Sequence, residues 1–252
     1  EEIVSEYEKS YIFRLHNVYG KWSRPNYNSV IATWCHNIAR DLPIQINDPD
    51  GGIGFVYIDD VIKTILKAIR GKLEYGFQEV KPVDIVKLGD VKKLIESYRE
   101  SRKDLSFPNL TTRFSKNLYS TYLSYIPIDN MKYELTMHED HRGSFTEVLK
   151  SIDLGQISIN ISKPNITKGQ HWHHSKNEKF LVVSGQGKIE IRHIITHEKY
   201  VYHVSGDKLE VVDIPTGYTH NIINTGDTDM VTLMWANEVF DPENPDTYHL
   251  EV

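Results

Sequence analysis

The chain of 252 residues has one cysteine, Cys35. No disulfide can form within it, and such usage fits a reducing compartment, here expected to be the cytoplasm. No apolar run is long enough to span a bilayer, so no membrane association is expected. Basic clusters are also missing. With 29 Lys and Arg against 35 Asp and Glu, the net charge is −6, which argues against nucleic acid as the main partner. The chain opens EEIVSEYEKS, with neither an initiator Met nor the apolar core of a secretory leader. Ile3, Val4 and Tyr7 read there as the apolar side of a helix end, so the chain is expected to continue a longer protein. There is no internal repeat and no low-complexity tract. What remains is ample core material for one or two domains, with 39 % hydrophobic residues.

Residues 1 to about 125 alternate between strand and helix patterns. YIFRLH (11–16), PIQI (43–46) and FVYI (55–58) read as strands. Segments 29–40, 59–71, 87–103 and 113–126 read as helices, with start signals at Pro25 to Ser29 and a stop at Gly71. From Gly143 onward the period becomes two. QISINIS (156–162), KIEIRH (188–193) and parts of DKLEVVDI (207–214) alternate, separated by turns such as Ser184-Gly185 and Pro215-Thr216-Gly217. Short strands at that spacing predict a sandwich or closed barrel. The reading places an α/β domain at 1–130 and an all-β domain at 131–252.

The stretch GQHWHHSKNEKFLVVSG contains His171-x-His173-x4-Glu178-x6-Gly185, and Pro215-x-Gly217-x2-His220-x3-Asn224 follows. Residues i and i+2 of a strand share a face, so His171 and His173 can both enter a barrel. Three imidazoles and a carboxylate suit Zn²⁺, Fe²⁺, Mn²⁺ or Ni²⁺. The two motifs resemble the signatures of the cupin superfamily. That resemblance implies a double-stranded β-helix with His171, His173, Glu178 and His220 as ligands, Zn²⁺ foremost. HEDHRGSFTEV (138–148) and Lys168-Gly169-Gln170-His171 resemble a second group of cupins, the metal-free 3,5-epimerases of dTDP-4-keto-6-deoxyhexoses. In that group a histidine moves the proton beside a ketone and a lysine assists, here near Lys179. Strand parity sets the two readings against each other, because Glu178 and Lys179 face opposite sides. The resemblance further implies catalytic roles for His171 and His173 and substrate contacts for Arg142, Phe145 and Lys168.

FRLHNVYGKWSRP (13–25) and FVYIDDVIKTILKAI (55–69) resemble segments of extended short-chain dehydrogenases that act on nucleotide sugars. Asn17 would then lie against the sugar nucleotide. The glycine-rich loop and the Tyr-x-x-x-Lys of that family are not in this chain, so the resemblance implies the C-terminal part of an incomplete Rossmann domain. Its cofactor contacts would lie outside this chain. Such a reductase fused to a cupin resembles the bifunctional enzymes of capsular polysaccharide and O-antigen synthesis in the UDP-N-acetyl-L-fucosamine pathway. That implies C3 epimerisation of a UDP-2-acetamido-2,6-dideoxy-4-hexulose by the cupin. It also implies C4 reduction with NADPH, possible only in the full-length protein, and a homodimer. A non-catalytic sugar-binding or structural cupin with a structural metal is the competing reading.

Overall fold

The computed structural model describes residues 1–252, which divide into two compact units. One comprises 1–104 with 108–133, the other 105–107 with 134–252.

The first unit contains α1 (Glu2–Ser5), β1 (Tyr11–Phe13), β2 (Asn17–Tyr19), α2 (Val30–Ile38), β3 (Gly52–Tyr57), α3 (Ile58–Ile69), β4 (Gly76–Gln78), β5 (Asp84–Lys87), α4 (Leu88–Asp104) and α5 (Arg113–Leu123). Local chemistry explains the helix starts. The Ser29 side chain accepts the Ala32 N–H at 3.3 Å to cap α2. Thr112 and Ser115 form a reciprocal capping box on α5. Asp59 and Asp60 occupy the first turn of α3, where the helix dipole favours negative charge. The core gathers Tyr19, Trp34, Cys35, Phe55, Ile95, Tyr98, Leu118 and Tyr122.

This unit corrects the α/β expectation for residues 1–130. A dehydrogenase-type domain needs one open parallel sheet with helices on both faces. Here β1 and β4 form a two-stranded parallel pair, and a separate sheet runs β2-β3-β5 with β3 and β5 antiparallel. No Rossmann portion is evident, and the chain is mostly β-sheet with few helices. The physical reason is that alternating strand and helix patterns specify elements, not pairings. The strands span only three to six residues, and PIQI takes no regular structure.

The second unit is built of antiparallel strands: β6 (Met137–Asp140), β7 (Gly143–Ser151), β8 (Gly155–Ser162), β9 (Thr167–Trp172), β10 (Glu178–Ser184), β11 (Gln186–His193), β12 (Lys199–Ser205), β13 (Val211–Ile214), β14 (Tyr218–Asn224), β15 (Met230–Ala236) and β16 (Tyr248–His249). A six-stranded sheet runs β13-β10-β15-β8-β7-β6, and a five-stranded sheet runs β12-β11-β14-β9-β16. Their inner faces meet in a cupin barrel. Phe180, Val182, Ile189, Ile191, Ile214, Ile222 and Met230 pack its apolar part. No helix of the protein is long and apolar enough to cross a membrane.

Candidate metal centre

His171 ends the register of β9, His220 lies opposite it on β14, and Glu178 begins β10 on the facing sheet. His173 follows β9 directly and is 2 % exposed. One ligand atom from each of these four side chains lies within 4.8 Å of all the others. A tetrahedral ion with bonds of about 2.1 Å sets its ligand atoms ~3.4 Å apart. The carboxylate oxygen Glu178 Oε2 stands 3.0 Å from His220 Nε2 and 3.4 Å from His173 Nε2. All three atoms are buried without a hydrogen-bond partner. Three orphaned buried polar atoms converging on one point are costly in an empty protein and natural around a cation. The donor set of three imidazoles and one carboxylate fits a divalent transition metal or zinc.

Electrostatics agree with that fit. Burial pushes the His171 imidazole down to about 4, with His220 and His173 adding to the effect, so it is neutral at pH 7 and able to ligate. Burial works to raise the Glu178 carboxyl, but the adjacent His173 and His220 imidazoles, at 3.4 and 3.0 Å, outweigh it and hold it well below the usual carboxylate range. The outer partners are also in place. His173 Nδ1 bonds to the Asp246 carbonyl, which leaves Nε2 as the inward nitrogen. The Asp246 carboxylate accepts the backbone N–H groups of His174, Ser175 and Lys176 at 2.9, 2.7 and 2.9 Å. The turn carrying His173 to Glu178 is thus tied to the C-terminal segment.

A bulge brings Lys168 to the same side as His171, although the two are an odd number of residues apart. The register shifts between His220 and Asn221, so His220 pairs with His171 while Ile222 pairs with Lys168. Gly169 makes this possible. Its φ is +104°, and a Cβ there would stand 2.7 Å from the His220 carbonyl oxygen.

A cavity of about 350 Å³ opens onto the cluster from one side. It lies at the small end of the ~300–1,000 Å³ typical of small-molecule sites, enough for a sugar ring. His171, Glu178 and His220 form its floor, and Arg142, Phe145 and Lys168 are on its wall. Lys168 donates to Asn160 Oδ1 and the Ile161 carbonyl at 2.8 Å each and to the Ser144 carbonyl at 3.3 Å, which occupies its three N–H bonds. Burial lowers its pKa. Arg142 pairs with Asp140 at 2.6 Å. Lys179 is outside this cavity and paired with Asp213 on β13. Asn17 is in the first unit, where its side chain donates to the Gly54 carbonyl at 3.5 Å and lines a separate cavity with Lys21 and Trp22. Sequence reasoning did not single out His138, which is exposed on β6 and also lines the barrel cavity. Its position on an edge strand carries no periodic signal. Asp246 was likewise passed over, because it sits in the irregular tail FDPENPDTYHL.

Comparison with known proteins gives this geometry its setting. Residues 138–248 match the Polysaccharide biosynthesis C-terminal domain. Over 243 residues the chain is 49 % identical to the UDP-2-acetamido-2,6-beta-L-arabino-hexul-4-ose reductase of Pseudomonas aeruginosa, covering 96 % of this chain and 65 % of that protein. The chain thus spans less than two thirds of that relative. The crystal structure of the capsular polysaccharide assembling protein CapF from Staphylococcus aureus in space group C2221 superposes with a TM-score of 0.91 at 57 % identity, over 96 % of this chain and 71 % of that one. CapF with the inhibitor 3-isopropenyl-tropolone gives the same TM-score and identity over 96 % and 70 %. The chain belongs to the family of the capsular polysaccharide assembling protein CapF.

Proposed function

We propose that the barrel removes and returns the proton at C3 of a UDP-2-acetamido-2,6-dideoxy-4-hexulose, inverting that carbon, in the synthesis of a capsular polysaccharide. The single observation that carries this reading is the buried cluster of His171, His173, Glu178 and His220, open to a cavity on one side. A purely structural site would be closed on all sides. The substrate class is drawn from the Pseudomonas relative, named as a UDP-2-acetamido-2,6-beta-L-arabino-hexul-4-ose reductase.

His171, His173, Glu178 and His220 would hold one divalent ion, with Zn²⁺ the first choice. When bound, such a cation polarises a carbonyl oxygen and stabilises the negative charge that develops beside a departing α-proton. The protein's residues do the rest. His173 has no nitrogen free for proton transfer, since Nδ1 is held by Asp246 and Nε2 faces Glu178. In this proposal His171 and His173 act as ligands, and the imidazole left on the cavity wall to move the proton is His138. Lys168, fully bonded, contributes its charge to the field at the ketone. Phe145 gives the sugar an apolar face, and Arg142 is placed at the wall to meet the diphosphate. Asn17 remains a proposed sugar-nucleotide contact of the first unit. Reduction of the C4 ketone with NADPH to UDP-2-acetamido-2,6-dideoxy-L-talose is proposed only for a longer protein of this family.

The test is incubation of this chain with the 4-keto sugar in deuterium oxide, followed by NMR. Deuterium should enter at C3 without any loss of NADPH. Retention of all ring protons after full metal loading would refute the reading.

A further inference from the structure

A second cavity, of about 330 Å³, lies against the same cluster. It shares His171, Glu178, Phe145 and Met234 with the first cavity and then diverges. Three of its distinct wall residues are polar and deeply buried: Gln156 at 5 %, Ser158 at 5 % and Lys176 at 8 % exposure. Gln156 Oε1 accepts the Phe240 N–H at 3.2 Å, so its NH2 group is the side left to face a ligand. The Ser158 hydroxyl makes no hydrogen bond within the chain. The Lys176 ammonium is paired with no carboxylate and stands 5.8 Å from the centre of the Phe240 ring. Trp235, Ala236 and Phe240 supply an apolar side, and His173, Glu238 and Thr247 complete the lining.

Three deeply buried side chains whose donors reach the cavity beside an apolar side call for a small group with an acceptor oxygen and a methyl. An anion such as a phosphate fits poorly, because the carboxylates of Glu178 and Glu238 also line the space. A cation is opposed by Lys176. We infer that this second cavity seats an N-acetyl substituent, the 2-acetamido group of the sugar, with its carbonyl oxygen toward Lys176, Gln156 and Ser158 and its methyl against Phe240. This inference rests on the reading of the substrate given above. In such a sugar the acetamido carbon C2 is bonded to C3. A ring lying over the shared wall would therefore present C3 and the ketone to one cavity and the amide to the other. The second cavity would then make the barrel selective for 2-acetamido over 2-hydroxy sugars.

The experiment compares two probes on this chain, the UDP-2-acetamido-2,6-dideoxy-4-hexulose and the same nucleotide sugar with a hydroxyl at C2. Affinity is read by calorimetry and C3 exchange by NMR. The unmodified protein should prefer the acetamido sugar. Lys176→Met keeps the stem against Phe240 and removes the charged donor. It should reduce that preference about tenfold or more, the scale of a lost charge-assisted hydrogen bond. Ser158→Ala should narrow it less. Because Lys176→Met removes no ion pair, its metal content and thermal transition should match the unmodified protein. Equal affinity for both probes in the unmodified protein would mean that the cavity holds only water, and would overturn the inference. So would a Lys176→Met protein that weakens both probes equally. Selective binding that Lys176→Met abolishes, without any C3 exchange, would sink the proposed reaction and leave the acetamido site standing.

Discussion

Apart from Glu178, which opens β10 at the site, the side chains of β10 and β11 turned into the barrel are Phe180, Val182, Ile189 and Ile191, all packed in one apolar cluster. On β8 they are Gln156, Ser158, Asn160 and Ser162, each at most 5 % exposed. Both regions follow the same two-residue alternation, and both are buried. They differ in what burial costs. The apolar half stabilises the barrel by removing carbon surface from water. The polar half yields little from burial and leaves groups in need of partners, among them the buried Thr232 hydroxyl and the ligand atoms of His173, Glu178 and His220. The contrast teaches that one half of this barrel holds the fold while the other holds a site, with β14 crossing both through Ile222 and His220 and β10 through Phe180 and Glu178.

The comparison can be broken most sharply at His220. His220→Ala should lower metal retained after purification from about one ion per chain to under about a tenth, and should abolish C3 exchange, as elemental analysis and NMR would record. In the apolar half, Ile189→Ala should cost about 2–5 kcal/mol of stability in denaturant unfolding while leaving the ion in place at neutral pH. If Ile189→Ala also lost the ion under folded conditions, the two halves would not be separable.

A smaller effect is expected at the turn between the ligands. Asp246→Ala removes the acceptor for three N–H groups but keeps the carbonyl that holds His173. Competition with a chelator should show metal affinity weakened by about 10–100-fold, the usual scale for outer partners of ligands. The smallest effect concerns Glu190 on β11. Its hydrogen bond from Lys188 holds its carboxyl down at about 2 against burial, with Asn221 and Lys199 assisting. A carboxyl depressed in the folded state contributes stability that is present above its ordinary value and lost as the pH falls through the folded one. The melting temperature should therefore drop between about pH 4.5 and 2 in the unmodified protein. Glu190→Gln should flatten that drop by the equivalent of about 1–2 kcal/mol of stability, discounted because both lysines are partly exposed.

Much of this barrel was legible because strand chemistry is local. Alternation in QISINIS and KIEIRH marks strands, and Ser184-Gly185 and Pro215-Thr216-Gly217 mark turns. The spacing His171-x-His173 names a shared face. Which face is inward was not legible on β8. Burial would be expected to favour the isoleucines, yet Ile157, Ile159 and Ile161 are only half-buried and the polar residues enter the barrel. The bulge at Gln170, with φ of 66°, was equally invisible, and parity alone would have set Lys168 and His171 on opposite faces. Asp246 is brought to the turn by pairing of β16 with β9, a contact between residues far apart in the chain. The α/β reading of residues 1–130 failed for a similar reason: β3 and β5 pair antiparallel, and no local pattern carries that information.

The central claim is that the cluster holds an ion on which C3 proton exchange depends. The most direct measurement is deuterium incorporation at C3 by this chain before chelation, after chelation, and after restoring one equivalent of Zn²⁺. The account predicts exchange, then its loss by about a hundredfold or more, then recovery. Undiminished exchange by protein stripped of metal would contradict it.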